Sequence, residues 1–371
     1  MTKIKFEDVA TRVNTREDRL NTSLLYYVGG EHIESNEMLV QGCGLIKGST
    51  IGPMFYCGFK KGDVLLVSRN PHLRKASMVE FDGICSEKTF VLGTKDSKVL
   101  LQEFLALVMQ SDDFWNYCEE HKSGGVNYFL NWSTLAKYEF YLPSIQEQKE
   151  IADKVWSAYR LKESYKKLLI ATDEMLKSQF IEMIHGCKHV PLNKVARFSK
   201  TSITPTSGTV YTLFSFPAFD NDCTPEVVDG SDIKSSKIKL EEDVILYNKL
   251  NVRLSRVWNI EKLSTYNNIC SSEFMPIKVM GNDVILKSFL YRVLCSDYVT
   301  KKMVACSTGT SNSQKRIAPT SLLNLGIPVP TLEQQNQFVS IAQQADKSKS
   351  VIQKAMVYLN DIHSDILRRT A

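Results

Sequence analysis

The sequence predicts an α+β protein that contains two globular α/β units in tandem, each followed by a long helix, with the two helices paired as an antiparallel coiled coil. Two observations lead to this prediction. Four segments of the first half recur in the same order in the second half, and each half ends in a long stretch without glycine or proline. The predicted bounds are 1–143 for the first unit, 144–185 for its helix, 186–330 for the second unit and 331–371 for its helix.

The recurring segments indicate a tandem duplication, because they keep their order and differ only by small insertions. The matches are "GDVLLVS" from Gly62 with "EDVILYN" from Glu242 (offset 180), "ICS" from Ile84 and again from Ile269, "FLALVMQSDDF" from Phe104 with "FLYRVLCSDYV" from Phe289 (offset 185 for both), and "LPSIQEQKEI" from Leu142 with "VPTLEQQNQF" from Val329 (offset 187). With 371 residues, the chain is long enough for two units that each have their own core.

Both glycine- and proline-free stretches, of 42 and 41 residues, begin with a hydroxyl residue directly after a proline. Ser144 with Glu147 forms an S-x-x-E capping box, and Thr331 with Gln334 repeats it as T-x-x-Q. Gly186 follows the first stretch where a left-handed C-terminal cap is expected. The pattern therefore predicts two long helices with defined starts.

Each predicted helix has an apolar stripe at heptad spacing. A helix of this length is about 60 Å long and extends beyond a small unit, so it needs a partner of equal length, and the other helix is the obvious one. An antiparallel pairing is favoured, because a parallel one would require the second unit to bridge back along the rod. The predicted pairing residues are Ile151, Val155, Tyr165, Leu169 and Leu176 in the first helix and Phe338, Ile352, Met356, Leu359 and Ile366 in the second.

Composition is that of an ordinary globular protein, with 43% hydrophobic and 23% charged residues. No run of 18 apolar residues occurs, and the start "MTKIKFEDVA" lacks the apolar centre of a signal peptide, so we expect a cytoplasmic protein without a membrane partner. The nine cysteines are never spaced as C-x2-C. This pattern favours free thiols and predicts no metal site.

No catalytic constellation is found in the sequence. An adenine methyltransferase would need an Asn/Asp-Pro-Pro-aromatic tetrapeptide, and the nearest string runs from Asn70 to Leu73 without the second proline or the aromatic residue. Neither G-x-G-x-x-G nor a P-loop occurs, so no nucleotide or dinucleotide site is predicted. The chain is therefore predicted not to be an enzyme. A scaffold that uses the rod only for protein assembly remains an alternative.

The chain resembles the DNA-specificity subunit of a type I restriction-modification system. The resemblance rests on the helix starts "LPSIQEQKEIADKV" and "VPTLEQQNQFVSIA", the "GDVLLVSR" strand and the approach "STGTSNSQKRIAPTSLLNLGIPVP" to the second helix, and it covers the whole chain. It implies that each globular unit is a target-recognition domain for one half of a bipartite, asymmetric site in double-stranded DNA.

The resemblance also implies partners. The paired helices would set the gap between the half-sites and dock two methyltransferase subunits, with ATP-dependent restriction subunits joining where they exist. S-adenosylmethionine, ATP and Mg²⁺ would be bound by those partners, and this chain would hold no cofactor. A methyltransferase-only system or a type IIB/IIG-like system is the alternative within this class.

Charge is unevenly distributed over the two units, and candidate DNA-binding residues follow from it. Residues 1–143 contain 16 basic and 18 acidic residues, whereas residues 186–330 contain 18 and 12. Phosphate contacts depend on lysine and arginine, and base edges are recognised by arginine, asparagine and glutamine. The first unit concentrates such residues in one loop-rich stretch with Lys60, Lys61, Arg69, Asn70, His72, Arg74 and Lys75, to which Lys122 and Asn127 are added; the second supplies Lys249, Asn251, Arg253, Arg256, Ser313, Gln314, Lys315 and Arg316.

Overall fold

The computed structural model describes the backbone of residues 2–309, 311 and 314–370, and the side chains of these residues except 2 and 362–370. By its internal contacts the chain divides into two compact units. Unit 1 comprises residues 1–169 and 351–371, and unit 2 comprises residues 170–350. Each unit is described by itself.

Unit 1 contains ten described strands and the helices that pack on them. The strands are β1 (Thr2–Lys5), β2 (Ala10–Arg12), β3 (Tyr26–Val28), β4 (Gly44–Leu45), β5 (Phe55–Phe59), β6 (Val64–Val67), β7 (Ala76–Met78), β8 (Gly83–Ser86), β9 (Thr89–Thr94) and β10 (Glu139–Leu142). The helices are α1 (Phe6–Val9), α2 (Gln102–Val108), α3 (Asp112–Glu120), α4 (Trp132–Leu135) and α5 (Ile145–Ile184), whose last 15 residues belong to unit 2. A single 3₁₀ turn, Pro71–Leu73, lies between β6 and β7.

Two four-stranded sheets and one strand pair form the β part of unit 1. The orders are β2-β9-β6-β7, which is antiparallel throughout, and β4-β3-β8-β5, in which β3 and β8 are parallel. Strand β1 pairs with β10, the strand that leads into α5. The largest core cluster joins β6 and β9 to α2 and α3, and it includes Val155, Trp156 and Tyr159 of α5. The start of α5 is thus part of the core of unit 1.

Unit 2 has eleven described strands. They are β11 (His189–Pro191), β12 (Ala196–Phe198), β13 (Ser202–Ile203), β14 (Val210–Phe214), β15 (Glu226–Asp229), β16 (Lys237–Lys239), β17 (Val244–Asn248), β18 (Val257–Ile260), β19 (Asn267–Cys270), β20 (Phe274–Val279) and β21 (Gly326–Pro328). The helices are α6 (Phe216–Asp220), α7 (Lys287–Cys295), α8 (Asp297–Cys306), α9 (Pro319–Leu323) and α10 (Leu332–Thr370), whose residues from 351 onward belong to unit 1, and 3₁₀ turns lie at Leu192–Lys194 and Gly230–Asp232.

The sheet topology of unit 2 repeats that of unit 1. The order β12-β20-β17-β18 corresponds to β2-β9-β6-β7, and β16-β19-β14-β15 corresponds to β5-β8-β3-β4, with β13 added at the edge. The parallel pair recurs as β14 with β19. Strand β11 pairs with β21, which leads into α10 as β10 leads into α5. The predicted tandem duplication and its α+β class are confirmed.

One predicted alignment, the offset of 180 for "GDVLLVS" and "EDVILYN", is wrong by one residue. Val64 pairs with Leu92, and Ile245 pairs with Ile277. Leu92 and Ile277 are 185 residues apart, which is the offset of the neighbouring repeats from Ile84 and Phe104, so Val64 and Ile245 are equivalent. The offset for β6 and β17 is therefore 181. Both strands are buried on both faces, so their apolar runs do not alternate, and the sequence contains no pattern that fixes the register.

Both long helices begin at the predicted capping boxes. The Ser144 amide donates to Glu147 Oε2 (2.9 Å), and the Glu147 amide donates to Ser144 Oγ (3.3 Å). Thr331 and Gln334 make the same reciprocal pair at 3.0 and 3.3 Å. Gly186 has φ of +73°, which confirms the left-handed cap after α5. The hydrogen bonds at the start of α5 hold the pKa of the Glu147 carboxyl below its usual value.

A fully buried glutamine one position after each capping box joins the helix to its unit. Gln148 Oε1 accepts from the Leu101 amide (2.9 Å), and its Nε2 donates to Val99 O (2.9 Å) and Pro143 O (3.0 Å). In unit 2, Gln335 makes the same three bonds to the Leu286 amide (2.8 Å), Val284 O (3.0 Å) and Pro330 O (2.9 Å). Each glutamine thus ties the segment before α2 or α7 to the start of the long helix.

The predicted pairing residues lie on the less exposed face of each long helix. Ile151, Val155, Tyr165, Leu169, Leu176, Phe338, Ile352, Met356 and Leu359 are buried or half-buried, and the side chain of Ile366 lies outside the described residues. Within unit 2, the rings of Phe180 and Phe338 are 5.5 Å apart, and Lys349 forms an ion pair with Asp173. Because α5 numbering falls while α10 numbering rises between these contacts, the two segments are antiparallel there.

No described helix is long and apolar enough to cross a membrane.

The buried glutamines generate a stability prediction. Replacing Gln148 or Gln335 with alanine leaves one amide and two carbonyl groups without these partners, and we expect a loss of about 1–3 kcal/mol in the free energy of unfolding of the unit concerned. Urea denaturation measures this loss. Gln337, which is exposed on α10, is the matched control, and its alanine variant should be within about 0.5 kcal/mol of the parent. Equal stability of all three variants would show that the hydrogen bonds of Gln148 and Gln335 do not stabilise their units.

Candidate nucleic-acid interface

The predicted DNA-binding residues after β6 and β17 lie next to those before α4 and α9. We call residues 68–75 and 249–256 the elbow loops of units 1 and 2, and residues 123–129 and 308–316 their hairpin loops. In unit 1 the Asn70 amide donates to Tyr128 O (2.9 Å), and the Leu130 amide donates to Ser68 O (2.8 Å). In unit 2 the same bonds join Asn251 to Lys315 O (2.8 Å) and Ile317 to Lys249 O (3.0 Å). Two segments that are distant in sequence therefore form one surface in each unit.

The hairpin loops are closed by reciprocal backbone hydrogen bonds. Ser123 and Phe129 exchange N–H···O bonds of 2.8 and 2.9 Å, and Thr308 and Arg316 exchange bonds of 2.9 and 2.8 Å. Gly124 has φ of +98°, and a Cβ there would lie 2.7 Å from Asn127 O, so only glycine fits this turn. The closing pair of backbone hydrogen bonds is the same in both units, although the two loops differ in length and sequence.

The elbow loops turn at an asparagine in the left-handed region. Asn70 and Asn251 both have φ of +51°, a conformation that asparagine tolerates better than most residues. The next residue in each loop, Pro71 or Val252, is buried and anchors the turn. The two residues after that are exposed, and they are His72 with Leu73 in unit 1 and Arg253 with Leu254 in unit 2.

Asn248 shapes the elbow loop of unit 2 from beneath. It is fully buried, and its Nδ2 donates to Leu250 O (3.1 Å) and Leu254 O (3.0 Å) and lies 3.4 Å from Asn251 O. Its Oδ1 accepts from the Arg256 amide (3.1 Å). A single side chain thus fixes the backbone on both sides of Arg253.

In unit 1 the basic candidates are held by aromatic rings and carboxylates. The Arg69 guanidinium lies 5.3 Å from the centre of the Phe129 ring, and Lys122 Nζ lies 4.3 Å from that of Tyr128. Lys122 also forms an ion pair with Glu119 (2.6 Å), and Arg74 forms one with Asp112 (2.7 Å). Lys75 Nζ donates to Gly30 O (2.6 Å). His72 and Asn127 are exposed. Cationic groups over aromatic faces form a surface suited to anionic and stacked ligands.

Lys60 and Lys61 do not join this surface, although they belong to the same loop-rich stretch of sequence as Arg69 and Lys75. The buried strand β6 divides the stretch. The two lysines lie in the turn before β6, where their amides donate to Asp63 and Asp82, whereas Arg69 follows the strand. At about 3.3 Å per residue, the four residues of β6 separate the two lysines from Arg69 by about 13 Å.

In unit 2 the candidate residues differ in their exposure and in their ion pairs. Arg253 and Gln314 are exposed, and Lys249 and Lys315 are half-buried. Arg256 and Arg316 each form a two-bond pair with a carboxylate, Asp220 (2.8 and 2.7 Å) and Glu273 (3.2 and 2.9 Å) respectively. Asn251 has its Oδ1 buried, and Ser313 lies outside the described residues.

The electrostatics of both surfaces keep the neighbouring carboxylates ionised. In unit 2 the hydrogen bonds from Arg256 hold the pKa of the Asp220 carboxyl below its usual value. In unit 1 the hydrogen bond from Lys88 lowers the pKa of Glu87, with smaller contributions from Tyr56 and Arg69. Each arginine-bearing surface therefore contains fixed negative charge beside the positive charge, which orients the cations rather than leaving them diffuse.

Sequence reasoning missed five residues of these surfaces. They are Leu73 and Leu254 on the elbow loops, Val126 at the tip of the first hairpin loop with 91% of its surface exposed, the buried Asn248, and Glu273. The two exposed leucines could have been paired by the offset of 181. Asn248 and Glu273 carry no sequence signal, because their roles depend on contacts across the loops.

The described residues contain no group of three or more histidine, cysteine, aspartate or glutamate side chains placed to hold a metal ion. All nine cysteines are free thiols. The chemistry that the two surfaces offer is recognition by hydrogen bonding, charge and stacking.

The role of Asn248 can be measured by hydrogen exchange. An Asn248→Ala variant removes the acceptor of the Arg256 amide and the donor to three carbonyls, so we expect amide exchange in residues 250–256 to become at least about tenfold faster. Asn193→Ala, on the surface of the same unit, is the control and should leave these rates unchanged. Unchanged exchange in the Asn248 variant would show that the loop is held by other contacts.

Comparison with known proteins gives one family and several similar structures. Residues 37–170 match the family model described as type I restriction modification DNA specificity domain. No curated protein sequence matches the chain. The S subunit of a type I restriction-modification system from M. genitalium has 15% identity and a TM-score of 0.60, over 100% of this chain and 95% of that one.

Two further structures are similar over the whole chain. A chain from a structure that describes complex assembly and conformational transition of a type I R-M system has 18% identity and a TM-score of 0.52, over 100% of this chain and 97% of that one. The HsdS subunit from Thermoanaerobacter tengcongensis has 19% identity and a TM-score of 0.43, over 100% and 96%. The matched domain lies in unit 1 and includes its elbow and hairpin loops, and the fold similarity extends over both units. Residues 37–170 therefore match a type I restriction-modification DNA specificity domain, and the chain as a whole has the fold of the two similar structures with TM-scores of 0.60 and 0.52.

Proposed function

We propose that the chain is the DNA-specificity subunit of a type I restriction-modification system and recognises a bipartite, asymmetric site in double-stranded DNA, with one half-site bound by each unit. The observation that supports this most directly is the repeated surface, in which an elbow loop and a hairpin loop are joined by the same backbone hydrogen bonds in units 1 and 2. A repeated frame with different side chains suits two related but unlike half-sites.

The side chains on the two frames differ in charge and shape at equivalent positions. With the offsets of 181 and 187, Arg69 corresponds to Leu250, His72 to Arg253, Tyr128 to Lys315 and Phe129 to Arg316. Arginine pairs with two acceptors of guanine, whereas apolar side chains contact the thymine methyl group. The two surfaces would therefore select different bases, and the site would be asymmetric.

The DNA contacts that we propose are narrower than the sequence prediction. Arg69, His72, Lys122 and Asn127 in unit 1 and Lys249, Arg253, Gln314, Lys315 and Arg316 in unit 2 lie on the joined surfaces. Lys75 and Arg256 are equivalent residues. Lys75 donates to Gly30 after β3, and Arg256 donates to Asp220 after β14, so we propose that both support the elbow loop. Arg74, held by Asp112, and Asn70 and Asn251, which make the turn, have the same supporting role. Ser313 stays a candidate, and Lys60 and Lys61 would reach phosphates only in another part of the site.

The paired long helices would set the number of unread base pairs between the half-sites. The less exposed stripe on α5 and α10 and the antiparallel contacts within unit 2 support a coiled-coil spacer. Two methyltransferase subunits, and ATP-dependent restriction subunits where present, would assemble on this chain. Specificity subunits of type I systems are non-catalytic, so S-adenosylmethionine, ATP and Mg²⁺ would act in the partners.

Methylation mapping tests the proposal. Cells that express the chain with its methyltransferase partner should carry adenine methylation in one bipartite motif, and exchange of residues 186–330 for those of another specificity subunit should change one half of it only. Binding of the assembled complex should weaken strongly between about 50 and 200 mM salt. Sequence-independent binding that is insensitive to salt would instead support an assembly scaffold.

Single substitutions should separate the half-sites. We expect Arg69→Ala to relax base preference in the half bound by unit 1 and Arg253→Ala to relax it in the other half, by about tenfold to a hundredfold at one position. Lys137→Ala and Lys239→Ala remove exposed basic residues of the same units outside the joined surfaces and are the controls. Methylome sequencing measures the preference, and equal loss in both halves by either arginine variant would point to a folding defect.

A further inference from the structure

Arg316 is held by Glu273 in a geometry that uses only one edge of its guanidinium group. Nε donates to Glu273 Oε2 (3.2 Å), and Nη2 donates to Glu273 Oε1 (2.9 Å). This side-on pairing occupies the Nε–H and one Nη2–H. The other edge, formed by Nη1 and the second hydrogen of Nη2, is directed away from the carboxylate, because the guanidinium is planar.

The position of the pair places that second edge on the candidate interface. Arg316 closes the hairpin loop through its backbone bonds to Thr308, and it lies opposite Leu250 of the elbow loop. Its side chain is 60% exposed, whereas that of Glu273 is 27% exposed. The carboxylate is the more buried partner and holds an exposed arginine at the junction of the two loops.

A second arginine–carboxylate pair in unit 2, Arg256 with Asp220, has a structural role and can be compared with the first. Arg256 is held side-on by Asp220 with the same two nitrogens, but its side chain is only 15% exposed and lies 4.9 Å from the centre of the Phe216 ring. Its aromatic contact and burial show that it serves the packing of the elbow loop. Arg316 shares the pairing geometry without that burial.

Stability does not explain the Arg316–Glu273 pair. Exposed ion pairs contribute little to folding, because water and salt screen them and the side chains lose freedom. A carboxylate on a phosphate-binding surface also repels the DNA backbone, so it weakens binding that does not depend on sequence. Both costs are offset if the carboxylate fixes the arginine in the orientation that one base requires.

The pair is specific to unit 2. The residue of unit 1 that corresponds to Arg316 is Phe129, and that corresponding to Glu273 is Lys88, since the amides of Ser68 and Lys249 donate to Lys88 O and Glu273 O respectively. In unit 1 the arginine comes instead from the elbow loop, where Arg69 stacks on Phe129. Any effect of the pair should therefore appear in one half-site only.

We propose that Arg316 recognises a guanine in the half-site bound by unit 2, through the Nη1/Nη2 edge and the O6 and N7 acceptors of the base, and that Glu273 is the positioning residue that aims it. This inference rests on the proposed function and adds to it a named base and a named pair. Lysine cannot replace Arg316, because it lacks the planar pair of donors, and glutamine cannot replace Glu273 fully, because its amide accepts at one atom only.

The test uses the full chain assembled with its methyltransferase partner and a DNA library that is randomised over both half-sites. The half bound by unit 2 is identified by exchange of residues 186–330. We expect Arg316→Lys to lower the preference for one guanine in that half by about tenfold to a hundredfold. Glu273→Gln should lower the preference at the same position while affinity for unrelated DNA stays equal or rises, since a negative charge is removed.

Glu241→Gln is the matched control. Glu241 forms an exposed ion pair with Arg197 in the same unit, between β12 and the segment before β17, and its replacement should leave every base preference unchanged. The thermal unfolding midpoint of all three variants should agree with that of the parent, so that a loss of preference is not a loss of fold.

Three results would overturn the inference: no change of base preference in Arg316→Lys, a change in both half-sites, or an equal loss of affinity for all DNA in Glu273→Gln. These differ from failure of the proposed function. In that case the parent complex itself would select no bipartite motif, and the role of Arg316 would be lost with it.

Discussion

The architecture depends on one buried side chain per unit, the glutamine that follows the capping box. Gln148 and Gln335 each satisfy one amide and two carbonyls where the segment before α2 or α7 meets the start of the long helix. A buried amide side chain with all these partners permits one geometry and is costly to shift. The direction in which each long helix leaves its own unit is thereby restrained.

A second constraint is that the backbone holds each surface together, whereas the side chains determine what the surface can bind. Elbow and hairpin loops are joined by backbone hydrogen bonds, and the turns depend on Asn70, Asn251 and Gly124. Side chains that point outward from this frame take no part in those bonds, so they are free to differ. Arg69 and Leu250 illustrate this, because they occupy equivalent places with opposite character. A frame of this kind allows the outward side chains to change without refolding.

Charge on these surfaces is organised in pairs rather than as a uniform positive patch. Residues 1–143 contain more acidic than basic residues, and the carboxylates of Glu119 and Asp112 hold Lys122 and Arg74 beside the loops of unit 1. Cations oriented by carboxylates lose less conformational freedom on binding, and they bind unrelated DNA less well. The excess of acidic residues in residues 1–143 is therefore compatible with oriented cations on the surface of unit 1.

The sequence by itself determined the duplication, the capped helix starts, the apolar stripes and the absence of nucleotide-binding motifs, because these depend on local chemistry and spacing. It also named most residues of the two surfaces by type. Only the tertiary structure decided that the elbow and hairpin loops meet and that the offset between β6 and β17 is 181. The physical reason is common to both: strand pairing and loop contacts join residues far apart in the chain, and strands buried on both faces have no alternation from which register can be read.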